Sequence, residues 1–114
     1  DGVRVANAGS VTGLGDGMEV QSNSTVNNSG TSTGSTSYGI KSADHNTITN
    51  SGTSTGGFGG LFAFDHNTIA NSGMATGLTY GIGVRDNNTI INTGTSTGGL
   101  YGIGGYNFNT IANP

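Results

Sequence analysis

The sequence predicts an all-β protein built as a parallel β-helix, a solenoid of about five coils of 21–22 residues with three short strands in each. Two observations predict it. The phrase Asn46-Thr47-Ile48-Thr49-Asn50-Ser51-Gly52-Thr53-Ser54-Thr55-Gly56 returns from Asn67, Asn88 and Asn109, each start 21 residues after the last. A fixed period in this range marks a stack of supersecondary units. Within each period, short alternating apolar and polar runs lie between Gly, Asn and Asp, which is the pattern of half-buried strands.

The period fixes the coils. Upstream of Asn46 the match continues through Thr25-Val26-Asn27-Asn28-Ser29-Gly30 at a spacing of 22, which places one inserted residue in the connection Ser35-Thr36-Ser37-Tyr38. Val5-Ala6-Asn7-Ala8-Gly9 matches at 21. Five coils follow, at about 3–23, 24–45, 46–66, 67–87 and 88–108, with a partial sixth to Pro114, all in one solenoid domain spanning 1–114.

Each coil carries three strands. The first centres on Val5, Val26, Ile48, Ile69, Ile90 and Ile111. The second is the Thr-x-Thr step, with Val11, Ser32, Ser54, Ala75 and Ser96 facing inward. The third centres on Met18, Ile40, Leu61, Ile82 and Ile103, with Val20, Ala63 and Val84 two residues further on. Stacked in register, each strand pairs in parallel with its copy about 4.8 Å away. This explains how a chain only 31% hydrophobic, with 23 Gly, folds at all. No coil buries its Ile alone, but its neighbours enclose a narrow continuous core. A disordered chain has no reason to keep Ile and Val in register, and Gly at this density disfavours helix.

Composition narrows function. With Arg4, Lys41 and Arg85 as the only Lys or Arg and a net charge of −3, the chain has no patch to neutralise a run of phosphates, so no nucleic-acid partner is expected. No apolar run is long enough to cross a membrane as a helix, so no membrane insertion by this segment is expected. There is no Cys to form a staple. Six acids and three basic residues are scattered one or two to a coil, which assembles no catalytic pair, so the chain is read as a non-enzyme without cofactor.

Three sets of outward or corner residues are candidates for function. Asn7, Asn28, Asn50, Asn71, Asn92 and Asn113 share one corner and are expected to stack as a structural amide ladder. The Gly two residues beyond each is expected to serve a left-handed or tight backbone. Thr31, Thr33, Thr53, Thr55, Thr76, Thr95 and Thr97 form a flat hydroxyl and methyl array that Met74 interrupts; it resembles the Thr-x-Thr face of insect antifreeze β-helices. Phe62, Phe64 and Tyr106 alternate with inward positions and are expected to form an exposed aromatic contact surface, for sugar rings or another copy of the chain, or else to lie over Gly gaps. Asp44-His45, Asp65-His66 and Asp86-Asn87 stack at the opposite corner; outward splay and Asx turns, rather than a metal, are expected to relieve their like charges.

The phrase Asn-Thr-Ile-x-Asn-Ser-Gly-Thr-x-Thr-Gly, followed by Tyr-Gly-Ile and Asp-His or Asp-Asn, resembles the repeats of bacterial autotransporter passengers and related haemagglutinin-type surface proteins. The resemblance covers essentially the whole chain. It implies a right-handed β-helix, extracellular or at a bacterial cell surface, serving as stalk, adhesin or fibre with host-surface or glycan contacts. Family repeats often carry Ile or Val between the threonines, where this chain has Ser32, Ser54 and Ser96. Asp1-Gly2-Val3 enters in corner register and Asn109–Pro114 begins a sixth strand without a cap, so a segment of a longer solenoid or a unit self-associating through its end coils is expected. An ice-binding β-helix is the alternative, and a carbohydrate-binding or cleaving β-helix a third reading.

Overall fold

The computed structural model describes residues 2–114, so the entry read at Asp1 lies outside the described residues. The described chain is a β-solenoid. The first coil holds β1 (Arg4–Asn7), β2 (Ser10–Gly13) and β3 (Met18–Val20); the second, β4 (Thr25–Asn28), β5 (Thr31–Gly34) and β6 (Tyr38–Ser42). The third holds β7 (Thr47–Asn50), β8 (Thr53–Gly56) and β9 (Gly59–Ala63); the fourth, β10 (Thr68–Asn71), β11 (Met74–Gly77) and β12 (Tyr80–Val84). The fifth holds β13 (Thr89–Asn92), β14 (Thr95–Gly98) and β15 (Tyr101–Gly105), and β16 (Thr110–Ala112) opens a sixth.

Each strand pairs in parallel with its counterparts in adjoining coils, giving sheet A (β1-β4-β7-β10-β13-β16), sheet B (β2-β5-β8-β11-β14) and sheet C (β3-β6-β9-β12-β15). Register follows the sequence period: Val5, Val26, Ile48, Ile69, Ile90 and Ile111 form one column. The inserted residue falls where the repeat mismatch places it. Gly34 pairs with both Gly13 and Gly56, whereas Ile40 lies 22 residues from Met18 and 21 from Leu61, so the second coil absorbs the extra residue between β5 and β6.

The core is a narrow column. Val26, Ile48, Ile69 and Ile90 from sheet A meet Ile40, Leu61 and Ile82 from sheet C, all fully buried. Sheet B closes the third side with Ser32, Ser54 and Ala75, also fully buried. The small residues are more than spacers. Ser32 Oγ donates to the Gly39 carbonyl at 2.7 Å and Ser54 Oγ to Gly60 at 2.8 Å, with Ser96 Oγ bonding Gly102 likewise. Each hydroxyl thus ties sheet B to sheet C within its own coil, and Ala75 leaves the fourth coil without this tie.

One backbone expectation is corrected in part. Gly9, Gly30, Gly52, Gly73 and Gly94 are not left-handed. From Gly30 onward they are required by crowding: a methyl group at Gly52 would overlap the Gly30 carbonyl of the coil below, and the same overlap recurs at Gly73 and Gly94. The left-handed residues lie at the opposite corner, on Gly2 with φ of 66° and on five non-glycine residues, Asn23, His45, His66, Asn87 and Phe108, with φ of 56–59°. Asn and His tolerate this conformation better than most side chains, which accounts for four of the five. Phe108 is the exception.

Candidate functional site

The corner between sheets A and B carries the predicted asparagine ladder. Asn7 Nδ2 donates to Asn28 Oδ1 at 2.8 Å, and the relay continues through Asn50, Asn71 and Asn92 to Asn113 with each link at 2.7–2.8 Å. The second proton of Nδ2 is also used from Asn7 to Asn71. It goes to the carbonyl that opens the next coil's sheet B strand, as from Asn28 to Thr53 at 3.0 Å and from Asn50 to Met74 at 3.1 Å. From Asn7 to Asn92 the amides are buried, partnered and aligned head to tail, so each polarises the next.

A second asparagine row escaped the sequence reading. Asn67, Asn88 and Asn109 accept, through Oδ1, the backbone N–H of Asn46, Asn67 and Asn88 in the coil below, each at 2.8 Å. Their Nδ2 groups donate to the carbonyls of Ala43, Phe64 and Arg85 at 2.6–2.7 Å. The signal was present: two residues before an inward Ile, strand alternation places Asn46 inward as well. Where the row begins, Ser24 replaces the asparagine and donates its N–H to Asn46 Oδ1 at 2.7 Å. Asn46 Nδ2 and the nearby-in-sequence Ser42 Oγ are buried without partners.

Each carboxylate of the acidic column beside this row accepts a backbone N–H from the next coil. Asp44 accepts the N–H of Asp65 at 3.1 Å, Asp65 that of Asp86 at 3.2 Å, and Asp86 that of Asn107 at 2.9 Å. His45 and His66 stack with ring centres 5.0 Å apart and planes 3° from parallel. Among the described residues, no group of three His, Asp or Glu gathers to hold a metal ion.

Sheet B presents the threonine array. Two outward columns run along it: Ser10, Thr31, Thr53, Met74 and Thr95, and Thr12, Thr33, Thr55, Thr76 and Thr97. Met74, 47% exposed, breaks only the first. The second is continuous through five coils. Sheet A adds a further unpredicted column on its outer face, Thr25, Thr47, Thr68, Thr89 and Thr110.

Sheet C is different. At one outward position the register runs Lys41, Phe62, Gly83, Gly104. Phe62 and Phe64 are half-buried rather than fully exposed, because they pack against neighbours. Phe62 stacks on Tyr38 at 4.7 Å and meets Phe64 edge-on at 5.2 Å, while the Arg85 guanidinium lies 5.7 Å from the Phe64 ring centre. Tyr106 is 69% exposed, as expected. Tyr80 and Tyr101, not singled out in the sequence as contact residues, stack at 5.7 Å and 16°. The Tyr80 ring leans over the glycines, so that a Cβ at Gly83 would lie 3.2 Å from it and one at Gly104 only 2.8 Å. Exposed rings and rings over glycine gaps therefore share one face. The result is a cleft of about 240 Å³ lined by Phe62, Tyr80, Gly83, Val84, Tyr101, Gly104, Gly105 and Tyr106.

At the other end of this face, Lys41 reaches Glu19 at 3.3 Å and Asp16 at 3.7 Å. Burial, reinforced by Tyr80, Asp16 and Tyr106, raises the Tyr38 phenol above its ordinary value. Comparison with protein-family models, with curated proteins and with solved structures gave no match.

Proposed function

We propose that the chain is a structural and adhesive solenoid of a bacterial surface or secreted protein, acting outside the cell. The observation that carries this reading is where the repeat is constant. Ile48, Ile69 and Ile90, Asn50, Asn71 and Asn92, and Gly52, Gly73 and Gly94 recur unchanged at inward or crowded positions. The outward position of sheet C changes in nearly every coil. A repeat held constant at its buried ladder and crowded corner positions and varied along one outward column of sheet C is a scaffold that displays a surface. Two polar rows and an apolar column bind every coil to its neighbours, which suits a rod bearing load along its axis. The resemblance to autotransporter passengers points the same way.

Self-association belongs to the same reading. The outer edges of β14, β15 and β16 offer unpaired backbone groups to a further coil, whether of the same polypeptide or of another copy. No enzymatic role is proposed. The test is adhesion of labelled protein to bacterial and host-cell surfaces, with sedimentation at increasing concentration. Saturable attachment or filament formation supports the reading. A monomer that attaches to neither surface contradicts it.

Ice binding is the second reading, and the unbroken column Thr12, Thr33, Thr55, Thr76 and Thr97 favours it. Hydroxyls about 4.8 Å apart along a flat sheet form a regular lattice, although Thr is also a favoured strand residue in its own right. Thermal hysteresis with ice-crystal shaping, abolished in Thr53→Tyr/Thr55→Tyr, is its expected signature. An unshaped crystal with wild-type protein eliminates it.

A further inference from the structure

We propose that the trough formed on sheet C by Tyr80, Tyr101, Tyr106 and Phe62 over Gly83 and Gly104 binds a neutral oligosaccharide. The assignment rests on the adhesive reading and gives it a ligand class. Three features of the trough select that class.

The floor is glycine covered by a flat ring. Gly83 and Gly104 occupy the outward position that Phe62 fills one coil earlier, so the surface drops there, and the Tyr80 ring lies over both glycines and buries Gly83. Gly83 lies in β12, which pairs with β9 on one side and β15 on the other, and Gly104 lies in β15, whose outer edge is open. Across β12 the floor therefore has no open strand edge for a peptide to extend, and the strand-addition mode of peptide recognition is confined to the rim at β15. A ligand lying there must be held by its faces and rims.

The aromatic lining supplies those contacts. Tyr101 is 55% exposed and Tyr106 69%, while Tyr80 lies flat against the floor. A pyranose ring has an apolar C–H face and a rim of hydroxyls. A tyrosine offers the complement, an aromatic face with a hydroxyl at its tip. Phe62 closes the trough toward the third coil.

Charge and size complete the selection. None of the lining residues is charged, so an acidic glycan finds no cation in the trough to neutralise it. The volume of about 240 Å³ lies below the ~300–1,000 Å³ of sites that enclose drug-sized ligands. It fits one or two rings of a chain running along the solenoid, not a globular partner.

The chain has four Tyr and no Trp, and three of the four line the trough, so tyrosine fluorescence reports on it directly. The probes are tetrasaccharides of β-1,4-glucose, of β-1,4-N-acetylglucosamine and of β-1,4-mannose, with tetragalacturonate as the acidic counterpart. The expected result is a saturable change with at least one neutral probe at millimolar or lower concentration. Affinity should drop about tenfold in Tyr101→Ala and in Tyr106→Ala, with circular dichroism unchanged because both side chains are exposed. No saturable change with any neutral probe overturns the proposal, as does a preference for tetragalacturonate or binding retained in both variants. Concentration-dependent dimerisation lost in the same variants, without a saccharide effect, overturns it in favour of a second copy as occupant. If the saccharides fail while the wild-type protein still attaches to cell surfaces, the trough assignment falls and the adhesive reading stands.

Discussion

Sheets B and C are built from the same coils in the same register, yet they present opposite kinds of surface. Sheet B is uniform outside, with hydroxyl residues at nine of its ten outward column positions, and small inside, where Ser32, Ser54 and Ser96 bond across to sheet C. Sheet C is large and apolar inside and uneven outside, where Lys41, Phe62, Gly83 and Gly104 follow one another. In a stacked solenoid, a position that never varies becomes a flat stripe. One that varies becomes relief, and relief is what a ligand of defined shape requires. Sheet B thus presents a repetitive surface, and sheet C an uneven one.

The comparison is most severely tested from the inside. Ile82→Ala, which empties a fully buried position of sheet C, is expected to cost about 3–4 kcal/mol in urea unfolding. Ser54→Ala, at the equally buried sheet B position, should cost only about 1 kcal/mol, the value of one hydrogen bond. Equal losses would mean that the two inner walls contribute alike.

On the outer face of sheet C, Tyr38→Ala removes a stacked contact with Phe62 and an edge contact with Phe58, and should cost about 2 kcal/mol. The phenol adds a pH signature. Its folded value lies above the ordinary 10.0, so the fold favours the neutral form. That contribution is fully present below about pH 10 and is lost as pH rises through the raised folded value. Ultraviolet titration should show a tyrosine ionising above the ordinary value, and Tyr38→Phe should remove it.

Smaller in size but opposite in sign is Ala75→Ser. The serines of the adjoining coils show that the position accommodates a hydroxyl, and a bond to the Gly81 carbonyl would supply the tie missing from the fourth coil. A gain of about 1 kcal/mol is expected. Destabilisation would show that the ties are specific to their own coils. Met74→Thr should change stability by less than about 0.5 kcal/mol, as a surface substitution. Under the ice-binding reading it should nevertheless increase thermal hysteresis, by completing the broken column.

Much of this molecule was legible in its repeats. The 21-residue return placed the coils, the single insertion between β5 and β6, the Ile columns and the first asparagine ladder, because parallel in-register stacking lets sequence spacing stand directly for spatial neighbourhood. Asn46, Asn67, Asn88 and Asn109 were visible as a repeat but not as a buried row, since an Asn beside a turn reads first as a turn residue. What the sequence by itself determined is therefore the stack: which residue lies above which. Tertiary structure alone decided what happens between sheets and between side chains of different sizes. The serine ties from sheet B to sheet C, the carbonyl crowding that demands Gly52 and Gly73, and the tilt of Tyr80 over Gly83 and Gly104 all depend on how closely the sheets and coils approach. Repeat spacing records the order of the coils, but it carries no measure of the distances across them.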